Sequence, residues 1–162
     1  MSEKSFWQFS LATYAVAGVE SLLLRLQDEF GADINMLLFC YWLGLQQKMP
    51  APAQWDELLR LTAKWQREGV LPLRSVRRFL KRQPGVADFR REIQAVEVEA
   101  ERLQQEMMVG FLTNNQLASF SGAPSQAAWQ NLQVYFATLP AAEWLLVADI
   151  NEELHRLIDL PH

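Results

Sequence analysis

The chain has few of the residues that build disulfides, metal centres or nucleophilic sites. Its 162 residues include one cysteine, Cys40, and two histidines, so no disulfide can form within the chain. A single thiol suits a reducing compartment. The N-terminus also lacks the basic end, apolar run and small-residue cleavage site that are typical of a signal peptide. We therefore expect a soluble cytoplasmic protein.

Long apolar runs, strand patterns and clustered glycines are also scarce. The longest apolar run, Met36–Leu45, is shorter than the roughly 20 residues that a transmembrane helix needs. Neither a sustained apolar–polar alternation nor an Asn-Gly or Asp-Gly turn indicates a β-hairpin. Gly18, Gly31 and Gly44 are isolated, so no Gly-rich phosphate loop is present. We therefore expect no transmembrane segment and little β-structure.

The residues that are abundant predict one all-α domain over 1–162. Half of the chain is apolar, with six Trp and nine Phe, which is ample material for a core. Apolar residues recur at helical spacing, and the breaks fall at Gly and Pro. We expect a bundle of about seven or eight helices around a central apolar helix, Ile34–Gln46, which Asp33 can cap. The predicted helices are Phe6–Tyr14, Val19–Phe30, Ile34–Gln46, Gln54–Glu68, Pro72–Arg82, Val86–Leu112, Ser125–Thr138 and Pro140–Ile158. Residues 113–124 read as a mobile loop, and residues 125–162 as a C-terminal helical hairpin.

A basic stripe on the helix predicted over 72–82 is the clearest functional signal. The net charge is −4 and the sequence pI is about 5.2, which argues against general affinity for nucleic acid. Within that acidic chain, five basic residues share one side of the helix, and two more follow the next turn: Arg74, Arg77, Arg78, Lys81 and Arg82, then Arg90 and Arg91. The apolar residues of the helix, Leu73, Val76, Phe79 and Leu80, fall mostly on another side.

Three interpretations of this stripe stay open. Charge runs usually form solvated faces, or they pair with acids of the same chain, here those of 92–106 and 143–159. Alternatively, the guanidinium groups bind carboxylates of an acidic protein partner. Nucleic acid or an anionic lipid is the third interpretation. The functional interpretations require a stripe that is exposed and without internal counter-ions.

The helix predicted over 86–112 carries a heptad seam. With Val86 at position a, apolar residues recur at spacings of three and four up to Gly110. The g positions are acidic, and one of the e positions is too, so either orientation of a homodimer would place Glu near Glu. A homodimer through residues 86–110 is therefore disfavoured. We expect the seam to pack against the protein's own helices, or against a more basic foreign helix.

Candidates for chemistry are weak. Glu152 and His155 have the Glu-x-x-His spacing of di-metal bundles, but a second such motif is absent, so we expect no metal site. Cys40 lies in the most apolar helix, where a buried thiol has a raised pKa and is a poor nucleophile. We expect no catalytic residue and no cofactor, and whether the chain is an enzyme stays open, with the balance against it.

An N-terminal pocket is the alternative site. Polar residues flank the apolar segment Leu22–Leu45, and two of them, Asp28 and Asn35, are suited to capping the turn at Gly31. They are also suited to forming the polar floor of an aromatic pocket for a hydrophobic small molecule. The candidate pocket residues are Trp7, Tyr14, Arg25, Asp28, Asn35, Phe39 and Trp42.

The first two-thirds of the chain resembles a family of uncharacterised proteobacterial proteins of about this length. The resemblance rests on Phe6-Trp7-x-Phe9-Ser10-Leu11-x-x-Tyr14, and on the run from Leu26-Gln27-Asp28 through Asp33-Ile34-Asn35 to Trp42. It covers roughly Phe6–Leu112. The family is a domain of unknown function, so the resemblance implies no activity, cofactor or site residue, and it suggests a bacterial cytoplasmic origin. From the residues, we expect a non-enzymatic interaction or regulatory protein.

Overall fold

The computed structural model describes residues 5–140 and 148–159, and these are almost entirely helical. The helices are α1 (Phe6–Tyr14), α2 (Val19–Phe30), α3 (Ile34–Leu45), α4 (Pro52–Trp65), α5 (Leu71–Leu80), α6 (Ala87–Asn114), α7 (Pro124–Phe136) and α8 (Ala148–Ile158). A π-helical segment, Gln66–Val70, joins α4 to α5, and two short strands, β1 (Lys48–Met49) and β2 (Ala118–Ser119), form an antiparallel pair. The prediction of an all-α bundle is confirmed.

Local signals set the first helix boundaries. The Ser5 hydroxyl accepts a hydrogen bond from the Gln8 N–H at 3.2 Å and caps α1. Gly31 ends α2 with a left-handed backbone, φ 69°, which glycine adopts without steric cost. The Asp33 carboxylate then accepts a hydrogen bond from the Asn35 N–H at 2.9 Å and caps α3, as the sequence predicts.

The chain divides into two compact units. One unit comprises the chain up to Ala51 and from Leu117 onward, and the other, hereafter the hairpin unit, comprises Pro52–Gln116. The hairpin unit is therefore a continuous insertion into the first. The single domain expected over 1–162 stays a prediction.

Helix α3 is the centre of the first unit. Most of its side chains are buried, including Phe39 and Leu43, which are fully so. It packs closely along α7, and α1 and α2 also lie against it. The buried Tyr41 hydroxyl donates a hydrogen bond to the Leu157 carbonyl of α8 at 2.7 Å. The prediction of a central apolar helix is confirmed, with its end at Leu45 rather than at residue 46.

The strand pair belongs to the first unit and lies in a region where the sequence predicts none. Lys48 pairs with Ser119, and Met49 pairs with Ala118. The Asn131 amide of α7 donates a hydrogen bond to the Lys48 carbonyl at 3.0 Å and supports the pair. The predicted loop over 113–124 is correspondingly shorter, because α6 continues to Asn114 and two of the remaining residues pair as a strand.

The hairpin unit consists of two long antiparallel helical arms. Helix α4, the π-helical segment and α5 form the first arm without a break, since Trp65, Val70 and Leu71 all keep right-handed helical backbone angles. Helix α6 forms the second arm. Hydrogen bonds join Gln54 to Gln116 at one end and Trp65 to Ala100 further along, at 3.1 and 2.8 Å. The predicted helix end at Gly69 is therefore wrong.

No single helix among the described residues is both long and apolar enough to cross a membrane. Helices α1 and α2 meet the length and composition criteria only as a pair, and this pair is bent by 101° at the break between them.

Candidate functional site

The basic stripe of α5 begins with a buried residue. Only 9% of Arg74 is exposed. Its Nε donates to the Glu97 carboxylate at 2.9 Å, and its Nη2 donates to the Glu101 carboxylate at 2.9 Å, both across to α6. Arg74 therefore holds the two arms of the hairpin unit together.

Arg77 contributes to the same cluster. Its guanidinium donates hydrogen bonds to both carboxylate oxygens of Glu97, which is itself only 5% exposed. Burial alone would raise the pKa of Glu97, but hydrogen bonds from Arg77 and Arg74 outweigh it and hold that pKa below its usual range. Arg74 and Arg77 thus follow the interpretation in which the stripe pairs with acids of 92–106, and they do not meet the condition for a binding surface without internal counter-ions.

The remaining basic residues lie around the turn between α5 and α6. Arg78, Lys81 and Arg82 are exposed, and Arg90 is half-buried. Arg91 is also exposed, and it forms an ion pair with Asp88 within α6. We call Arg78, Lys81 and Arg82 the basic tip of the hairpin unit. The structure thus divides the predicted stripe into a buried structural part and an exposed part.

The apolar residues of α5 show the opposite disposition. The sequence predicts Val76 and Phe79 on the side away from the basic stripe, yet Phe79 is 62% exposed and Val76 is also exposed. Leu80 is buried. Helix α5 therefore turns charged side chains toward its neighbour and leaves three apolar ones, Leu71, Val76 and Phe79, exposed to solvent.

The heptad seam of α6 is only half covered. Its a positions, Val86, Ile93, Ala100 and Met107, are half-buried. Its d positions Phe89, Val96 and Leu103 are exposed by 50%, 50% and 37%. The buried side of α6 instead carries Glu97, Gln104, Gln105, Met108 and Phe111. Of the two interpretations of the seam, packing against the protein's own helices accounts for the a positions but not for the exposed d positions.

The predicted N-terminal pocket residues are only partly brought together. Phe39 is fully buried, and its ring lies 5.2 Å from that of Phe6 and 6.0 Å from that of Trp42. Trp7 and Tyr14 on α1 are half-buried. The rings of Phe6, Phe39 and Trp42 thus pack against one another.

Of the polar members of that set, Arg25 and Asp28 lie on α2, and Asn35 lies on α3. Arg25 is half-buried and pairs with Glu29 at 3.2 Å, whereas Asp28 is exposed. Asn35 is buried, and its backbone N–H is bound by Asp33. The Asp33 side chain therefore caps α3, as the sequence predicts.

The first unit also has an open cleft that no sequence signal indicates. Its volume is about 310 Å³, and it lies between the α1–α2 connection and α8. Val16, Val19, Leu22 and Leu157 supply apolar lining, and Glu153 and Arg156 lie among the lining residues. None of the candidate pocket residues lines it.

The sequence candidates for metal and thiol chemistry have ordinary surroundings. Within residues 5–140 and 148–159, no group of three His, Cys, Asp or Glu side chains is placed to hold a metal ion. His155 stacks on Trp129 with ring centroids 4.4 Å apart, and Glu152 pairs with Arg156 at 3.6 Å. Burial raises the pKa of the Cys40 thiol, as the sequence predicts.

A family model described as "Protein of unknown function (DUF2390)" matches residues 5–108. The chain belongs to this family. The match confirms the resemblance to a family of unknown function, and its extent is close to the span predicted from the sequence motifs. The DUF2390 match includes α1 to α5 and most of α6, and therefore both the basic tip and the exposed d positions of the seam. No curated protein and no solved structure matches the chain.

Sequence reasoning missed Glu97 and Glu101 as the partners of the basic stripe. The sequence offers them only as members of an acidic segment, because helical periodicity does not show which side of one helix faces the neighbouring helix. One signal in the sequence could have indicated Glu97. It occupies an e position of the heptad, which flanks the apolar seam and can therefore face a neighbouring helix.

Proposed function

We propose that this chain is a non-enzymatic cytoplasmic interaction protein that binds an acidic protein partner through the basic tip. The observation that supports this proposal is the exposure of Arg78, Lys81 and Arg82 around a single turn of a chain whose net charge is −4. Arg side chains bind carboxylates in a bidentate manner, and Lys adds a mobile positive charge. Arg90 and Arg91 follow the turn, where Arg90 is half-buried and Arg91 pairs with Asp88.

The ion pairs of Arg74 and Arg77 support the same proposal from the structural side. They fix α5 against α6 through Glu97, and they therefore hold the turn that carries the tip. A rigid backbone lowers the entropy cost of binding, since fewer rotatable bonds become ordered with the partner. The two arginines position the tip, and the exposed residues make the contact.

Charge reversal of Lys81 and Arg82 tests the proposal. We expect the double variant K81E/R82E to capture acidic proteins from a bacterial lysate at least about tenfold less well than the wild type, which corresponds to roughly 1.4 kcal/mol. Arg77 is unsuitable for this test because its reversal would break the pair with Glu97. The readout is quantitative mass spectrometry of captured proteins at two salt concentrations, since exposed charge contacts weaken with salt.

The matched control is R60E/K64E. Arg60 and Lys64 are exposed and lie one helical turn apart on α4. Their reversal changes the net charge by the same amount as that of Lys81 and Arg82. We expect this variant to retain the captured set. Equal losses of captured protein in both variants would mean that net charge, and not the basic tip, causes the loss. Tip-dependent retention on heparin would instead favour nucleic acid, and a copurifying adduct in native mass spectra would favour a hydrophobic small molecule.

A further inference from the structure

The exposed d positions of α6 form one continuous apolar line. Phe89, Val96 and Leu103 are spaced seven residues apart, so they lie above one another along the helix over about 21 Å. Isolated exposed apolar residues are common on protein surfaces, but a line of three in heptad register is not. We call these three residues the apolar stripe.

The stripe is separate from the contact that α6 makes within the hairpin unit. Its members lie about 100° around the helix from Glu97, Gln104 and Phe111, which are buried. The half-buried a positions Ile93 and Ala100 lie between the two sets. The hairpin unit therefore covers one edge of the seam and leaves the other edge open.

Acidic residues border the open edge of the stripe. Glu92, Glu99 and Glu106 each follow a stripe residue by three positions, and they are therefore its neighbours on the helix surface. All three are exposed, and Arg102 pairs with two of them, Glu99 and Glu106. Glu92 makes no ion pair among the described residues. Three glutamates against Arg102 leave this border with a net negative charge.

We propose that the apolar stripe of α6 docks an amphipathic helix of another protein whose apolar side is flanked by Lys or Arg. The seven-residue spacing selects a helix, because knobs at this spacing fit the holes of a second helix and do not match the two-residue period of a strand. The acidic border favours a partner helix with basic residues beside its apolar side. In a helix pair, the residues in those places lie opposite the g positions of α6. This inference goes beyond the proposed function, because it concerns a different surface and a partner of opposite charge.

The same charges disfavour two other occupants. A second copy that presented its own α6 would bring Glu92, Glu99 and Glu106 toward identical residues, and like charges repel at this range. An anionic membrane would be repelled by the same border. A basic helix gains both apolar burial and charge complementarity.

A pair of designed peptides tests the charge and the periodicity together. The first is a labelled helical peptide of about three heptads with Leu at a and d and Lys at e and g, and its twin has Glu in place of Lys. We expect the full chain to bind the Lys peptide at least about tenfold more tightly than the Glu twin in fluorescence anisotropy. The ratio of the two affinities should fall in about 1 M salt, where charges are screened beyond roughly 3 Å.

Two valine substitutions on the same helix locate the binding surface. Val96→Glu places a charge in the stripe, whereas Val98→Glu places the same charge about 200° around α6, at a residue that is 44% exposed. We expect V96E to weaken binding of the Lys peptide at least about tenfold and V98E to leave it unchanged. Non-specific attraction of the peptide to an acidic protein would affect the two variants equally. L103E is the second stripe variant, and circular dichroism confirms that each variant is folded.

The outcomes separate this inference from the proposed function. K81E/R82E should not weaken binding of the Lys peptide, because the basic tip is not part of the stripe and its reversal only adds negative charge. The inference is overturned if the Lys peptide fails to bind, if the Glu twin binds equally well, or if V96E and V98E behave alike. It is also overturned if the free chain forms a dimer that V96E abolishes, because a second copy would then cover the stripe.

Discussion

Two helical glycines show how strongly the role of one residue type depends on its surroundings. Gly44 on α3 lies against α7 so closely that a Cβ at this position would overlap the backbone of Ala128. Gly110 on α6 has no atom from outside its own stretch of helix backbone within 4 Å of the place where its Cβ would lie. The first glycine permits two helices to pack, whereas the second only lowers the helix propensity of α6.

Alanine substitutions at these glycines should have opposite effects on stability. Gly44→Ala forces α3 and α7 apart, and we expect a cost of about 3 kcal/mol in the free energy of unfolding. Gly110→Ala should raise that free energy by about 0.5–1 kcal/mol, because alanine restricts the unfolded chain and favours the helix. Urea denaturation of both variants and the wild type measures the difference. A neutral Gly44→Ala would contradict the close approach of the two helices.

Glu97 is the residue on which the hairpin unit most depends. Glu97→Gln removes the charge that Arg74 and Arg77 share, and it leaves a buried guanidinium with Glu101 as its remaining acidic partner. We expect a loss of about 3 kcal/mol at neutral pH, as for a buried ion pair that loses one member. Glu92→Gln is the control, because Glu92 is exposed on the same helix and makes no ion pair among the described residues.

The effect of Glu97→Gln should depend on pH in a defined direction. The pKa of Glu97 is lower in the folded protein than its ordinary value of 4.5, so the carboxylate contributes stability above pH 4.5. That contribution falls as the pH drops below 4.5 and is lost once the pH passes the folded-state pKa. The stability gap between wild type and variant should therefore be constant near neutrality and shrink in acid. A gap that widens in acid would contradict the ion-pair cluster.

The residue types of α5 correctly predict a helix with a charged side and an apolar side. Their hydrophobicity does not predict which of these side chains are buried. Hydrophobicity predicts that Phe79 is inside and Arg74 outside, and the structure has the reverse. The cause is a long-range pairing with Glu97, which lies 23 residues further along the chain. The buried cluster offsets the desolvation of Arg74 with two carboxylates, and no local pattern encodes that pairing.

At the scale of elements, local signals predicted boundaries well where a cap or a left-handed glycine terminates a helix. Gly31 and Asp33 fix the junction of α2 and α3, and both act through atoms within a few residues. The junction near Gly69 failed for a different reason. The Leu71 N–H bonds to the Gln66 carbonyl in a π-turn, and this local widening lets the helix continue past Gly69 and accommodate Pro72, which has no N–H to donate.

The heptad seam shows the same limit for a helix face. Periodicity located the apolar residues of α6 but could not say which side of the seam meets the first arm of the hairpin. Polar contacts decide this, since Ala100 accepts from Trp65 and Gln104 from Gln66 at 2.8 Å each. These contacts rotate α6 so that Phe89, Val96 and Leu103 remain outside.

At the scale of the whole molecule, the fold class and the central helix follow from composition and pattern, and the division into two units does not. The hairpin unit interrupts the first unit in the sequence. The pairing of Lys48–Met49 with Ala118–Ser119 joins the chain segments that precede and follow it. A contact between residues about 70 positions apart leaves no mark in a local window, so the sequence pattern does not indicate the two units.

Two compact units with separate internal packing should open separately in hydrogen exchange. We expect Gly44→Ala to speed amide exchange in residues 5–51 and 117–140 while protection in 52–116 changes little. Glu97→Gln should do the opposite, because its ion pairs lie entirely within the hairpin unit. Exchange measured by mass spectrometry at peptide resolution distinguishes the two patterns. Faster exchange across the whole chain in both variants would mean that the two units unfold as one, and that the hairpin unit depends on the first unit for its stability.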